Sequence, residues 1–193
     1  TPVAYIRAHD QGGARIVAKT ITDGQPYFRL VVVVRADSDV ATLEDLKGRS
    51  FAFGDKAALL QRAVVVGAGL PLDQLGEYKF LNHYENVVRG VLSGDFDAGI
   101  ILDSTAHNWQ DKGLKIVHTS PELPPYSIVV SSKVDDELFN KIRKALLALD
   151  VNRPDHRMII KTLSEGCDGY TPASDSDYNV VRRLIKPFEK EIN

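Results

Sequence analysis

Between Ser50 and Thr119 short apolar runs alternate with amphipathic ones, and this alternation constrains the fold more than any other feature. Ser50 to Gly54, Tyr78 to Leu81, Ala98 to Leu102 and Leu114 to His118 read as strands. Lys56 to Val66, His83 to Leu92 and Ser104 to Asp111 read as helices. Strand–helix alternation at this spacing predicts a parallel sheet with helices on its faces, because each crossover returns the chain to the starting end of the next strand. The middle helix is the best marked. Asn82 is the expected cap, Glu85 stands where a capping-box partner belongs, Val87, Val88, Val91 and Leu92 form one apolar face, and Gly94 is the stop.

The flanks read differently. Val3 to Ile6 predicts a short strand, and Arg15 to Thr20 with Tyr27 to Arg35 predicts an antiparallel hairpin across the turn Asp23-Gly-Gln-Pro26. Thr42 to Gly48 predicts a helical turn ended by glycine. Tyr126 to Val130 predicts a strand. A helix follows from Asp135 to about Leu149, with acids in its first turn and bases later, as the helix dipole favours. The tail predicts helices near Asp155 to Leu163 and Asp177 to Phe188, with a loop at Gly166 to Asp175 between them.

Two chain passages, near Ala36 to Gly48 and Thr119 to Pro125, bracket the alternating segment. They predict residues 45–120 as one α/β lobe inserted into a discontinuous lobe of 1–44 plus 121–193. A lobe inserted through two connections makes a hinge, and a small molecule is expected in the cleft between the lobes.

Composition excludes several classes. The net charge of −2 gives no basic field for nucleic acid. The strongest apolar run, Leu30 to Val34, is strand-sized, so no membrane span is expected. A single cysteine, Cys167, allows no internal disulfide and lacks an activating neighbour. The five histidines show no metal spacing, so no metal or cofactor is expected. Asp95 with Asp97, and Asp175 with Asp177, lie in turn-like sequence where aspartate bonds nearby backbone. Gly67-Ala-Gly69 lacks the third glycine of a dinucleotide fingerprint, since Leu72 stands in its place, and reads as a helix stop.

The candidate site lies at the strand–helix junctions. In open α/β sheets ligands bind beyond the carboxyl ends of the strands. Three such ends open on one rim: Asp55 to Ala58, His83 in the first turn of its helix, and Asp103 with Ser104. A helix start also directs backbone N–H groups outward, which favours anions.

Several stretches, in order, carry a family resemblance: Pro2-Val-Ala-Tyr-Ile-Arg-Ala8, Asp23-Gly-Gln-Pro-Tyr-Phe28, Arg35-Ala-Asp-Ser-Asp39, Leu43-Glu-Asp-Leu-Lys-Gly48, Phe51-Ala-Phe-Gly-Asp55, His83 with its valine-rich helix, Gly94-Asp-Phe-Asp-Ala-Gly99 and Asp175-Ser-Asp-Tyr178 with Val181-Arg-Arg183. Together they resemble the phosphate/phosphonate/phosphite-type periplasmic solute-binding proteins of ABC transporters. The resemblance implies a type II periplasmic-binding-protein-like α/β fold of two lobes joined by two hinge crossings. It implies an extracytoplasmic, non-enzymatic binding protein that delivers a solute to a membrane permease. The alternative is a sensing domain that reports a ligand or a partner to a signalling protein. The family's chains begin earlier, with a further βαβα stretch, so the first lobe is expected to be incomplete here.

The resemblance also implies ligand-binding roles for Tyr5, His83, Asp103 or Ser104, and Tyr126, with Lys56, Ala57 and Ala58 at the first junction. The family carries a Ser-Thr-Ser-Gly run at that junction, which grips the phosphonyl oxygens. Ala58-Leu-Leu-Gln61 stands there instead. Each lost hydroxyl–oxyanion bond removes about 1.5–3 kcal/mol, so the expected ligand differs from a simple phosphonate. Leu59 and Leu60 suggest a less polar one, or a pocket that no longer binds a small molecule.

Overall fold

The computed structural model describes residues 1–192. In chain order the elements are α1 (Pro2–Gly12), β1 (Arg15–Ile21), β2 (Leu30–Arg35), β3 (Ser50–Phe53), α2 (Leu59–Gly67), β4 (Glu77–Phe80), α3 (Tyr84–Ser93), β5 (Ala98–Leu102), α4 (Asp103–His107), β6 (Leu114–Thr119), β7 (Ser127–Val130), α5 (Asp136–Leu147), α6 (Pro154–Leu163), β8 (Gly169–Thr171), α7 (Asn179–Ile185) and α8 (Glu189–Ile192). The chain forms two compact units. Thr1–Phe28 and Glu122–Arg183 make the first; Arg29–Pro121 with Leu184–Glu191 makes the second.

The second unit is built on a five-stranded sheet of order β4-β3-β5-β2-β6. β3 is parallel to both β4 and β5. β2 is antiparallel to its two neighbours, β5 and β6, so the sheet is mixed and not wholly parallel as the alternation predicts. Leu30, Val31, Val32, Val33 and Val34 are all buried, because β2 lies inside the sheet with covered faces. An unbroken apolar run is what such a strand requires. This places β2 in the second unit, whereas the sequence reading assigns everything before residue 45 to the first.

One face of the sheet packs against α3, where Val87, Val88 and Val91 meet Val31, Val33, Ala52 and Ile101. Gly99 permits this approach. A Cβ there would stand 2.4 Å from Val87 Cγ1 and 3.1 Å from the Ala52 carbonyl oxygen. Asp97 accepts from the Ser50 N–H and hydroxyl, both at 2.8 Å, which ties the start of β3 to the start of β5. Burial raises its pKa, but those two bonds, with Arg49 and Arg35 nearby, outweigh burial and hold it below the usual carboxylate value.

The first unit has a three-stranded antiparallel sheet, β7-β1-β8, so β1 and β2 are not the two arms of a hairpin. Its turn does form: Asp23 and Gly24 take φ of 52° and 73°, and Thr22 and Gln25 bridge. The chain reversal is local, but each strand pairs elsewhere. Val17 and Ala18 pack with Phe139 and Leu146 of α5, Ile160 of α6, and Cys167. Cys167 is a fully buried thiol, in keeping with a structural role. The exposed face of α6 carries Met158, Ile159 and Leu163.

Four further expectations need correction. Val3 to Ile6 lies within α1, not a strand: Thr1 caps the helix through its hydroxyl, Pro2 opens it, and Gly13 closes it with a φ of 65°. Gly169–Thr171, read as loop, is β8 on the edge of β1. The last helix is broken into 3₁₀ and α segments, Asp175–Tyr178, α7, Lys186–Phe188 and α8. The predicted helix from Ser104 shortens to α4, followed by a 3₁₀ turn at Gln110–Lys112.

Candidate functional site

The carboxyl ends of β4, β3 and β5 emerge on one edge of the second unit's sheet. Backbone bonds fix their neighbourhood. Leu81 N donates to Phe53 O at 2.9 Å and Asn82 N donates to Gly54 O at 3.0 Å, so the turn before α3 lies beside the turn before α2. Asp103 N donates to Arg29 O at 3.1 Å, placing the third junction beside the start of β2. His83, Asp55–Ala58 and Asp103–Ser104 therefore share one rim, in strand order.

At the middle junction α2 starts at Leu59, three residues later than the sequence reading places it. Ala58 is the cap residue and has no side chain that can serve the helix start. The loop supplies several of its own partners. Asp55 Oδ1 accepts from Ala57 N at 2.9 Å, Asp55 O from Ala58 N at 3.0 Å, Ala57 O from Leu59 N at 2.9 Å, and Ala58 O from Gln61 N at 3.1 Å. Gln61, only 3% exposed, folds back so that its Oε1 accepts from Gly54 N at 2.7 Å while its Nε2 donates to the Tyr84 hydroxyl at 3.4 Å. Lys56 and Ala57 are exposed, and Ala58 is half-buried. Leu59 and Leu60 are buried in the unit, so they do not supply the apolar lining the sequence suggested.

His83, not Asn82, is the cap of α3, and its side chain makes no capping bond. Asn82 instead takes φ 68°, a left-handed conformation that asparagine tolerates better than most residues. The expected capping box is absent, and Asn86 holds the turn by donating to Leu81 O at 2.8 Å. The His83 ring is exposed on the rim. Asp103 opens α4; its Oδ1 accepts from Ser104 N at 2.9 Å, and its carbonyl oxygen lies 2.7 Å from His107 Nδ1.

In the first unit Tyr5 is 3% exposed and its hydroxyl donates to Asp175 Oδ1 at 3.0 Å. Its ring lies 4.3 Å from that of Tyr178. Burial, and then the bond to Asp175, push the phenol far above its ordinary pKa. Asp175 is clasped by Arg182 through Nη2 at 2.7 Å and Nη1 at 3.1 Å, with His9 Nε2 at 3.6 Å. The Arg182 bonds hold its carboxyl below the usual range despite partial burial, with help from the Tyr5 bond. Tyr126 is 64% exposed, and its carbonyl oxygen accepts from both Thr20 N and Thr20 Oγ1. Asp177 accepts from Lys19 at 3.2 Å and completes a capping box with Ser174. A shallow depression of about 230 Å³ in this unit is lined by Lys19, Tyr27, Pro124 and Asp177 among others, and contains none of the sequence candidates.

Sequence reasoning placed the three junctions on one rim but missed Gln61, Asp175 and Arg182. Gln61 had a signal: it is the one amide in the apolar stretch Ala57 to Leu60 and Ala63 to Val66. Among the described residues, no group of three or more His, Cys, Asp or Glu could hold a metal ion, and no helix is long and apolar enough to cross a membrane.

The family model described as the periplasmic substrate-binding protein of phosphonate ABC transporters matches residues 1–178. Among solved structures, XAC2383 from Xanthomonas citri bound to ATP superposes with a TM-score of 0.79 at 18% identity, over 98% of this chain and 75% of that one. PhnD1 from Prochlorococcus marinus, in complex with methylphosphonate, gives 0.74 at 18% identity, over 98% and 76%. The aliphatic sulphonate-binding protein SsuA from Escherichia coli gives 0.65 at 16% identity, over 98% and 72%. At such identities the likeness concerns the fold.

Proposed function

The chain belongs to the periplasmic phosphonate substrate-binding family of ABC transporters, and from that premise we propose that it is the extracytoplasmic solute-binding component of a phosphate/phosphonate-like transport system whose ligand differs from a simple phosphonate. Its α/β fold is that of type II periplasmic binding proteins. The family binds small molecules and works with a membrane permease, so transport takes precedence over the sensing alternative.

One observation carries the altered ligand. The junction after β3 presents Lys56, Ala57 and Ala58, and then two buried leucines, with no hydroxyl side chain among them. A phosphonyl group there would forgo charge-assisted hydroxyl bonds. Lys56, Ala57, Ala58, His83, Asp103 and Ser104 are the proposed contacts on the second unit, and Tyr5 and Tyr126 those on the first. Tyr5 comes with a restriction: its proton is committed to Asp175, so it offers a ligand only an oxygen lone pair. His83 is the most direct contact, since its ring is exposed and free of capping duty. No catalytic step is proposed. These groups arrange recognition, and none of them pairs a nucleophile with a base.

A thermal-shift panel of phosphate, phosphite, methylphosphonate, alkanesulfonates and small amines tests the reading. A true ligand at a hundred times its Kd stabilises the chain by about 2.7 kcal/mol. The expected outcome is stabilisation by a panel member other than methylphosphonate, weakened in His83→Ala. Strong stabilisation by methylphosphonate would overturn the altered-ligand reading.

A further inference from the structure

Resting on the solute-binding reading above, we infer that Asp55 and Gln61 are selectivity residues that fill the amide cradle at the β3–α2 junction from within, so that this junction receives a hydrogen-bond-donating, uncharged or cationic ligand group in place of a tetrahedral anion. The start of a helix attracts anions because its first N–H groups lack partners inside the helix and because the dipole is positive there. At this junction five amides have partners. Gly54 N donates to Gln61 Oε1, Ala57 N to Asp55 Oδ1, Ala58 N to Asp55 O, Leu59 N to Ala57 O, and Gln61 N to Ala58 O. An incoming phosphoryl oxygen would have to displace these bonds one by one.

Two of the five are made by side chains, and these set the chemistry. Gln61 is almost fully buried and packs directly on Gly54: a Cβ at Gly54 would lie 3.0 Å from Gln61 Nε2 and 3.3 Å from Oε1. No anion oxygen fits between them. The Gln61 amide group is held at its other end by the Tyr84 hydroxyl, so its carbonyl oxygen is turned toward the strand end. Asp55 supplies the negative charge that the helix start favours, and supplies it as part of the chain. A second anion at the same place would meet a like charge at close range. What the exposed Asp55 carboxylate presents outward is acceptor capacity, which suits an amine, an ammonium or a hydroxyl group on the ligand.

The test compares wild type with Asp55→Ala, Gln61→Ser and the double variant, using inorganic phosphate and methylphosphonate as probes. Two readouts are taken: the thermal shift, and the NMR chemical shifts of the Gly54 and Ala57 amides during titration. The expected result is that both amides are insensitive to either probe in wild type. In the double variant they move, and the apparent Kd for phosphate tightens about tenfold or more. Should Gln61→Ser fail to fold, Asp55→Ala with its exposed side chain carries the test through the Ala57 amide alone. Wild type whose Gly54 and Ala57 amides already respond to phosphate would overturn the inference, as would folded variants that bind no better than wild type. Because the probes are fixed, this comparison stands apart from the search for the natural ligand. A chain that no solute stabilises would sink the transport reading, whereas unchanged variants would sink only the roles of Asp55 and Gln61.

Discussion

Asp175 is the residue on which the first unit's polar chemistry turns. It takes the Tyr5 hydroxyl and both Arg182 nitrogens, and it stands 3.6 Å from His9. Its carboxyl is held below the usual value, chiefly by Arg182. A depressed carboxylate stabilises the fold above the unfolded-state pKa, and that contribution is lost as pH falls through the folded value. Asp175→Asn should therefore cost about 1 kcal/mol at neutral pH, a charged hydrogen-bonded pair discounted for its exposure. Urea unfolding at neutral and at strongly acidic pH checks this: the gap between wild type and variant should narrow on acidification. Local sequence showed Asp175 and Asp177 as turn formers within a stretch that carries the family resemblance. Asp177 does serve the Ser174 cap, but Asp175 reaches a helix separated from it by most of the chain, and local spacing carries no trace of such a contact. His83 was legible for the opposite reason, since a strand end and a helix start beside it in sequence fix its place on the rim.

At the scale of elements, the alternating segment was readable because each crossover is local. The strands β3, β4 and β5 and helix α3 fall close to where the pattern puts them. The partner of β2 was not readable. Its turn chemistry is correct and does reverse the chain, but a turn fixes direction and not pairing, and β2 is more fully buried between β5 and β6. The run Leu30 to Val34 was the available signal, since a half-exposed hairpin arm would alternate. Close packing of α3 on this sheet gives a sharp expectation. Gly99→Ala drives a methyl into Val87 and the Ala52 carbonyl, and should cost about 1–3 kcal/mol in chemical denaturation. Gly12→Ala, at the end of α1 with nothing within 4 Å of the new methyl, should change stability by less than about 1 kcal/mol. Equal effects from the two would show that α3 does not pack as described.

Across the whole molecule, the chain leaves its first unit at Phe28, returns at Glu122, and sends Leu184–Glu191 back to the second. Three strand ends of the second unit form the proposed recognition rim, and the family to which the chain belongs is that of periplasmic phosphonate substrate-binding proteins of ABC transporters. Side chains decide which solute, and in their proposed roles Asp55 and Gln61, bonded to the Ala57 and Gly54 amides, close this junction to a phosphonate. The most direct test is a calorimetric titration of the wild-type chain with methylphosphonate beside a panel of small amines and hydroxylated solutes. The predicted result is no measurable heat of binding with methylphosphonate and saturable binding of a donor-bearing solute; tight, saturable binding of methylphosphonate would contradict it.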